Sequence, residues 1–296
     1  MHLGMDEQSV LPWLTLVCPV HHFRTMLHQL VTGFSSQQHS IAQRSTETPR
    51  HDTAEGYRNE ASIGAALSRL LPAHSLTRQD VFITSKLAPR SQGYERCQAA
   101  VAASLKALQT DYIDLYLIHW PGASGLEPDD PRHAQLRADS WRALEQLLAE
   151  GTLRAIGVSN YGVPHLQQLL DTCQTAPHVN QVEVHPYFQQ KELREFCGQH
   201  KIHVQAYSSL GTTVEVSPLL VDPVVQQVAE EVGRTPAQVL LKWALQHSLS
   251  VIPKSTNPQH MRENLELEFS LDGQQMALLD GLERNTKFAW DSRVVA

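Results

Sequence analysis

Four side chains of this 296-residue sequence have the types needed to deliver a proton to a carbonyl oxygen: Asp52, Tyr57, Lys86 and His119. A phenol with an ordinary pKa of about 10 is a poor acid at neutral pH, and a neighbouring ammonium improves it by stabilising the phenolate. A carboxylate can hold that ammonium in place, and a neutral imidazole can orient and polarise the carbonyl. These four side chains are predicted to form one acid site if the fold brings them together.

The elements that must position them are short apolar strands alternating with longer helical patterns. Strands are predicted at 81–87, 112–120, 153–160, 179–186, 202–209 and 249–255, and helices at 97–109, 140–151, 189–200 and 235–247. Gly151 and Thr235 are typical of helix ends. A further amphipathic helix is expected to follow Tyr57, with Ile63 and Leu67 on its apolar face. Strict alternation of strand and helix indicates parallel pairing with right-handed crossovers.

Most of these strands are apolar along their length and become polar at the last one or two residues. The polar ends are Lys86, His119, Ser159 with Asn160, Tyr207 with Ser208, and Lys254 with Ser255. In a (β/α)8 barrel every strand can deliver a residue to one C-terminal face, whereas a doubly wound sheet gathers ligands where its strand order reverses. The sequence also contains no GxGxxG motif of the Rossmann type. The pattern therefore favours a parallel α/β (TIM) barrel.

Composition excludes several classes of function. The net charge of -7 and the absence of a dense Lys/Arg cluster argue against nucleic-acid binding. Cys18, Cys97, Cys173 and Cys197 lie far apart with no CxxC pair, so we expect reduced thiols and no metal site. No apolar run reaches the roughly 18 to 20 residues that span a bilayer, and the first residues lack a cationic signal region. A cytoplasmic monomer acting on a small molecule is the expectation.

The sequence resembles the aldo-keto reductase family through motifs that occur in the family's order. They are DTAEGYRNE, VFITSK, DYIDLYLIHWP, IGVSN, VNQVEVHPY, VQAYSSLG and IPKSTNPQHMREN, and the match covers about residues 51–296. The resemblance implies an oxidoreductase that reduces aldehydes and ketones with NAD(P)H. It also implies that Tyr57 is the general acid, that Lys86 and Asp52 tune it, and that His119 places the carbonyl.

The resemblance further implies a binding path for the cofactor. Ser159, Asn160 and Gln181 would hold the nicotinamide carboxamide, Tyr207 would stack on its ring, and the turn with Ser208, Leu210 and Gly211 would approach the pyrophosphate. Lys254 and Ser255 match residues at the 2'-phosphate of NADPH, and Glu263 and Asn264 match residues near the adenine. Residue types agree with these roles, since Ser, Asn and Gln both donate and accept, and Tyr offers a flat face.

One position departs from the family's cofactor site. His260 stands where many members carry an Arg that stacks on adenine and contacts the 2'-phosphate. A neutral imidazole can stack, but it lacks the fixed charge and the forked donors of a guanidinium. NADPH is therefore the expected cofactor, with NADH as the alternative.

Two tryptophans are predicted to line the substrate pocket. Trp120 follows His119 directly, and Trp290 lies in a segment that resembles the family's pocket-closing tail. An equally weighted interpretation of Trp290 is a surface anchor for the terminus. The HWPG sequence and the short tail look more like glyoxal or diketogluconate reductase-type members than like steroid-specialised ones.

Residues 1–50 form an atypical N-terminal segment before the barrel of residues 51–296. The family's N-terminal hairpin, GTW-like first strand and GYRHIDTA second strand are absent, and the approach to Asp52 reads STETPRHDTA. Pro49 and the polar residues argue against a strand there. Residues 11–20 and 23–34 either replace the first strand and helix or are unrelated to the barrel. The alternative function is therefore a catalytically impaired barrel that retains cofactor or partner binding as a regulatory or vestigial module.

Overall fold

The computed structural model describes residues 50–296, apart from 74, 212–216 and 256. Predictions made for residues 1–49 lie outside this described part of the chain. They include the replacement strand at 11–20, the replacement helix at 23–34 and Cys18. The separation of an N-terminal segment at residue 50 therefore stays a prediction.

Seven parallel strands form one curled sheet in which every strand neighbours the next along the chain. They are β1 (Arg50–Asp52), β2 (Phe82–Leu87), β3 (Leu115–Ile118), β4 (Ile156–Ser159), β5 (Val179–Glu183), β6 (His203–Tyr207) and β7 (Ser250–Val251). All six strands predicted from residue 81 onward are present, each shorter than its predicted range. The architecture is the parallel α/β barrel that the polar strand ends indicated.

The strand that leads into Asp52 is present although the sequence argued against it. β1 has only three residues, and His51 and Asp52 pair in parallel with Ile83 and Thr84 of β2. His51 is buried, and burial together with the charge of Arg78 lowers its pKa to about 4. The imidazole is therefore neutral near pH 7, which makes its burial tolerable.

Helices follow most strands and cover the outside of the sheet. They are α1 (Glu60–Ala73), α2 (Tyr94–Leu108), α3 (Arg132–Ala149), α4 (Val163–Leu170), α5 (Lys191–Gln199), α6 (Pro223–Val232), α7 (Pro236–Gln246), α8 (Pro258–Glu263) and α9 (Gly273–Asp280). Both predicted end signals are confirmed, since Thr235 caps α7 by accepting from the Gln238 amide and Gly151 has a left-handed φ of 78° just after α3. None of the described helices is long and apolar enough to cross a membrane.

The main core lies between the sheet and its helices, where the apolar faces of both meet. Trp141 of α3 and Trp243 of α7 are among its largest fully buried side chains. Gly64 lets α1 approach α2 closely, because a Cβ at this position would lie 2.4 Å from the Ala107 carbonyl oxygen. A smaller cluster that includes Phe82 and Leu117 forms a second packed layer. These layers hold the strands in register, so their polar C-terminal ends share one face.

The described cysteines agree with the expectation of reduced thiols. Cys97 and Cys197 are buried, Cys173 is half-buried, and all three are free. Burial raises the pKa of the Cys97 thiol to about 12, so it is not a thiolate near neutral pH. Within the described residues, no group of His, Cys, Asp and Glu could hold a metal ion.

Candidate active site

A buried ion pair lies at the centre of the C-terminal face. Lys86 of β2 is fully buried, and its ammonium contacts the carboxylate of Asp52, the last residue of β1. The same ammonium donates to the Thr53 carbonyl at 2.9 Å. Burial alone would lower the pKa of Lys86, but the Asp52 charge and the Tyr57 side chain raise it above its ordinary value. The ammonium therefore stays protonated beneath the face.

Tyr57 lies over this ion pair on a short 3₁₀ turn, Glu55–Tyr57, directly after β1. Its ring centroid is 5.2 Å from Lys86 Nζ, and the residue is 47% exposed. Glu55 fixes the turn to the end of β2 by accepting from the Ala88 amide and the Ser91 hydroxyl, both at 2.9 Å. The phenol is thus held close to a buried cation while remaining open to solvent.

His119 completes the set of four predicted residues. It follows β3, and its ring packs edge to face against Tyr57 with centroids 5.6 Å apart. Burial, reinforced by the positive charge of Lys86, lowers the pKa of His119 to about 3. The imidazole is therefore neutral at physiological pH, as the carbonyl-orienting role requires. The fold brings Asp52, Tyr57, Lys86 and His119 together within one small region.

Three polar residues predicted to hold a carboxamide form a hydrogen-bonded group next to the ion pair. Gln181 of β5 donates to the second oxygen of Asp52 at 2.8 Å and to Gln205 at 2.7 Å. The Ser159 hydroxyl donates to the Gln181 carbonyl at 2.7 Å. Asn160, in a left-handed conformation with φ of 64°, donates to the His119 carbonyl at 2.9 Å. This network couples the ends of β1, β3, β4 and β5.

The residues assigned to the pyrophosphate follow β6 in a tight turn. Tyr207 ends β6, and its hydroxyl donates to Asn160 Oδ1 at 2.7 Å. Ser208 and Gly211 both have left-handed φ values, 50° and 85°, and the Gly211 amide donates to the Ser208 carbonyl at 2.7 Å. Leu210, between them, packs partly against the main core. This turn therefore continues the path of polar groups from β4 towards β7.

The residues assigned to the adenosine end lie farther along the same face, after β7. Lys254 and Ser255 lie three and four residues after the end of β7, while His260 and Glu263 belong to α8, which Asn264 ends. Lys254 and His260 are exposed, and Asn264 is buried. The Gln238 side chain donates to the Glu263 carbonyl at 3.1 Å and so anchors α8 to α7. All five residues follow β7 in the sequence, whereas the polar network around Asp52 joins the ends of β1, β3, β4 and β5.

Aromatic rings extend the site from His119 outward. The rings of His119 and Trp120 stack with centroids 6.0 Å apart, and Trp120 meets Trp290 edge to face at 5.1 Å. Trp290 is 52% exposed. The two tryptophans therefore form one wall beside His119, and Trp290 reaches that wall from a distant part of the sequence.

Sequence reasoning missed Glu183, the buried last residue of β5. Its carboxylate accepts from Lys287 Nζ at 2.7 Å and from the amides of Phe288 and Ala289 at 2.6 and 3.0 Å. His185 Nε2 donates to it at 3.1 Å. A signal was present, because a Glu that ends a buried strand needs compensating partners. His185 is two residues away, but the other three partners, Lys287, Phe288 and Ala289, lie more than one hundred residues away and gave no local sign.

The fold is a parallel barrel whose C-terminal face gathers Asp52, Tyr57, Lys86 and His119 beside a hydrogen-bonded group of polar side chains. The model of the Aldo/keto reductase family matches residues 50–284. The chain belongs to this family. Its reductase relatives are consistent with an NAD(P)H-dependent oxidoreductase that reduces carbonyl groups.

Two relatives and one solved structure illustrate the similarity. The 9,11-endoperoxide prostaglandin H2 reductase of Trypanosoma cruzi is 40% identical over 244 residues, covering 82% of this chain and 81% of that protein. The glyoxal reductase of Bacillus subtilis is 41% identical over 237 residues, covering 80% and 79%. An aldo-keto reductase from a Medee basin deep-sea metagenome library matches with a TM-score of 0.75 at 33% identity, covering 82% and 85%.

Proposed function

We propose that this protein reduces aldehydes and ketones to alcohols, with Tyr57 as the general acid. The observation that carries the proposal is the fully buried Lys86 ammonium, paired with Asp52 and 5.2 Å from the Tyr57 ring. Transfer of the phenolic proton to the carbonyl oxygen leaves a tyrosinate, which the ammonium stabilises. Because Tyr57 is about half exposed, solvent can return the proton after each turnover.

His119 has the role of orienting the substrate. Its pKa of about 3 keeps the imidazole neutral, so it can donate one hydrogen bond to a carbonyl without competing as an acid. Its position against Tyr57 lets both side chains address the same oxygen. Trp120 and Trp290 supply an apolar wall for the rest of the substrate.

The residues present fit a nicotinamide nucleotide, which would supply the hydride when bound. Ser159, Asn160 and Gln181 would hold the carboxamide: Gln181 uses its amide hydrogens on Asp52 and Gln205, which leaves its oxygen as an acceptor. Tyr207 would offer its ring face. Ser217 Oγ, which would lie 2.3 Å from a Cβ at Gly211, is buried without a hydrogen-bond partner among the described residues. An orphaned hydroxyl beside this turn suits an incoming phosphate.

NADPH is proposed as the preferred cofactor, on the basis of Lys254 and Ser255 after β7. His260 should weaken that preference, because it lies exposed on α8 and lacks a fixed charge. His260→Arg is therefore expected to increase the ratio of NADPH to NADH efficiency by about tenfold, as one charged hydrogen bond would. The ratio is measured from kcat/KM with each cofactor, and an unchanged ratio would refute the role of His260.

The test of the proposed function mixes the purified protein with NADPH and 4-nitrobenzaldehyde and follows absorbance of the reduced nicotinamide. Turnover in the wild type and its loss in Tyr57→Phe, with NADPH binding retained, is the expected result. Turnover retained in Tyr57→Phe would exclude Tyr57 as the acid. Cofactor binding without turnover in the wild type would favour the impaired barrel instead.

A further inference from the structure

Residues 287–296 cross the C-terminal face as a strap. Glu183 holds its first three residues through the Lys287 ammonium and the next two backbone amides. Farther along, the Ser292 hydroxyl donates to the Asn160 carbonyl at 2.6 Å, and the Val295 carbonyl bonds to His165 at 2.9 Å. Trp290 lies between the first two anchors, one residue beyond the last amide that Glu183 accepts. Its position therefore depends on how these anchors fix the backbone.

Glu183 is suited to anchoring and not to proton transfer. Its side chain is fully buried, and all four contacts are donors to a carboxylate. Burial would raise the pKa of Glu183, but hydrogen bonds from His185, Lys287 and the Phe288 amide lower it to about 2. The carboxylate is thus ionised throughout the neutral range. Charge-assisted hydrogen bonds of this kind are stronger and more directional than neutral ones.

We propose that Glu183 is a positioning residue for the substrate, acting through the strap: it fixes Trp290 against Trp120 and so builds the pocket wall beside His119. The inference rests on the proposed function, since the wall matters only if a carbonyl compound binds there. The substrates that depend on this wall belong to one class. Aldehydes with an aromatic or other bulky apolar substituent reach the tryptophan wall, whereas a dicarbonyl as small as methylglyoxal does not need it.

Glu183→Gln is the direct test, because the amide keeps the volume but replaces one acceptor by a donor that faces the strap's own donors. Asp114→Asn is the matched control. Asp114 is also a poorly exposed carboxylate, bound by Arg78 and the Ile83 amide at 2.7 and 2.9 Å, but it precedes β3 at the opposite end of the strands. Both variants lose a charged acceptor, and only the first loses an anchor of the strap.

The kinetic arm compares KM and kcat for 4-nitrobenzaldehyde and methylglyoxal at saturating NADPH. In Glu183→Gln the KM for the aromatic aldehyde should rise by about tenfold while kcat and the KM for methylglyoxal stay within about twofold. Trp290→Ala should produce the same split, and adding Glu183→Gln to it should change nothing further. Asp114→Asn should leave both KM values unchanged. Equal KM increases for both aldehydes, or additive effects in the double variant, would overturn the inference.

A second arm needs no activity and follows hydrogen exchange in a peptide covering residues 285–291. The Phe288 and Ala289 amides donate to different oxygens of the carboxylate, so in Glu183→Gln one of the two loses its acceptor. Exchange in this peptide should therefore accelerate at least about tenfold at that amide, while exchange in the strand peptides is unchanged. Unchanged exchange at these amides would by itself overturn the inference. If the wild type reduces neither aldehyde, the proposed function fails, and this arm still decides whether Glu183 anchors the strap.

Discussion

Removing the Lys86 ammonium should destabilise the protein more than removing the ammonium and its carboxylate partner together. Lys86 is fully buried and Asp52 has a side chain only 10% exposed, so Lys86→Met leaves an uncompensated charge in a poorly solvated place. Breaking such a pair from one side costs about 3 to 5 kcal/mol. The remaining Asp52 contact from Gln181 offsets little of this, because it is a single hydrogen bond from a neutral amide.

A double-mutant cycle can separate the free energy lost by leaving Asp52 unpaired from the free energy lost by removing the whole pair. In Lys86→Met with Asp52→Asn neither charge of the pair remains, so we expect the double variant to be more stable than Lys86→Met by at least about 1 kcal/mol. The assay is urea unfolding at pH 7, followed by tryptophan fluorescence, for the wild type, both single variants and the double variant. All three variants should lack reductase activity. A double variant as unstable as the sum of the two single variants would show that the pair is not electrostatically coupled.

Three further predictions concern stability. The buried histidines His51 and His119 have pKa values of about 4 and 3, below their ordinary values, so between about pH 6.5 and 4 the unfolded chain binds protons that the folded protein does not. The free energy of unfolding should therefore fall as the pH falls through that window, by about 1.4 kcal/mol per pH unit for each histidine. Equal urea midpoints at pH 7 and pH 5 would contradict this. Gly64→Ala should lower the melting temperature. Steric overlap with the Ala107 carbonyl costs about 1 to 3 kcal/mol, which exceeds the roughly 1 kcal/mol gained in helix propensity. A higher melting temperature would show that α1 and α2 can separate freely. Thr235→Ala removes the cap of α7 and should cost about 1 kcal/mol in urea unfolding, with Thr235→Ser as the control that retains the hydroxyl.

The strands were predictable because each is an apolar run that ends in polar residues, a pattern set by local burial. Elements with polar buried faces were not. α3 begins at Arg132, well before the predicted 140, because its first turns bury His133 and Arg137 in place of apolar residues. Arg137 finds its partners in the Pro121 and Ala296 carbonyls and Gln168, contacts that no local periodicity reveals. β1 is similar, since a neutral buried His51 occupies a strand that composition argued against.

In the candidate site, too, the sequence indicated which residues take part but not the contacts that they make. Residue types at strand ends, together with family resemblance, indicated which side chains belong to the C-terminal face. The hydrogen bonds among them, such as Tyr207 to Asn160 and Gln181 to Asp52, depend on the relative height of neighbouring strands and were not predictable. The roles of all these residues stay predictions until variants are measured.

Glu183 and Lys287 lie far apart along the chain, and this separation affects the order in which the contacts of the site can form. Asp52 and Lys86 are 34 residues apart, so their pairing closes a short loop, whereas Glu183 and Lys287 are separated by 104. Closing the longer loop costs more entropy, although only logarithmically. During synthesis the Glu183 carboxylate lacks three of its donors until residues 287–289 emerge. The Asp52–Lys86 pair can thus form while Glu183 still lacks its contacts to residues 287–289.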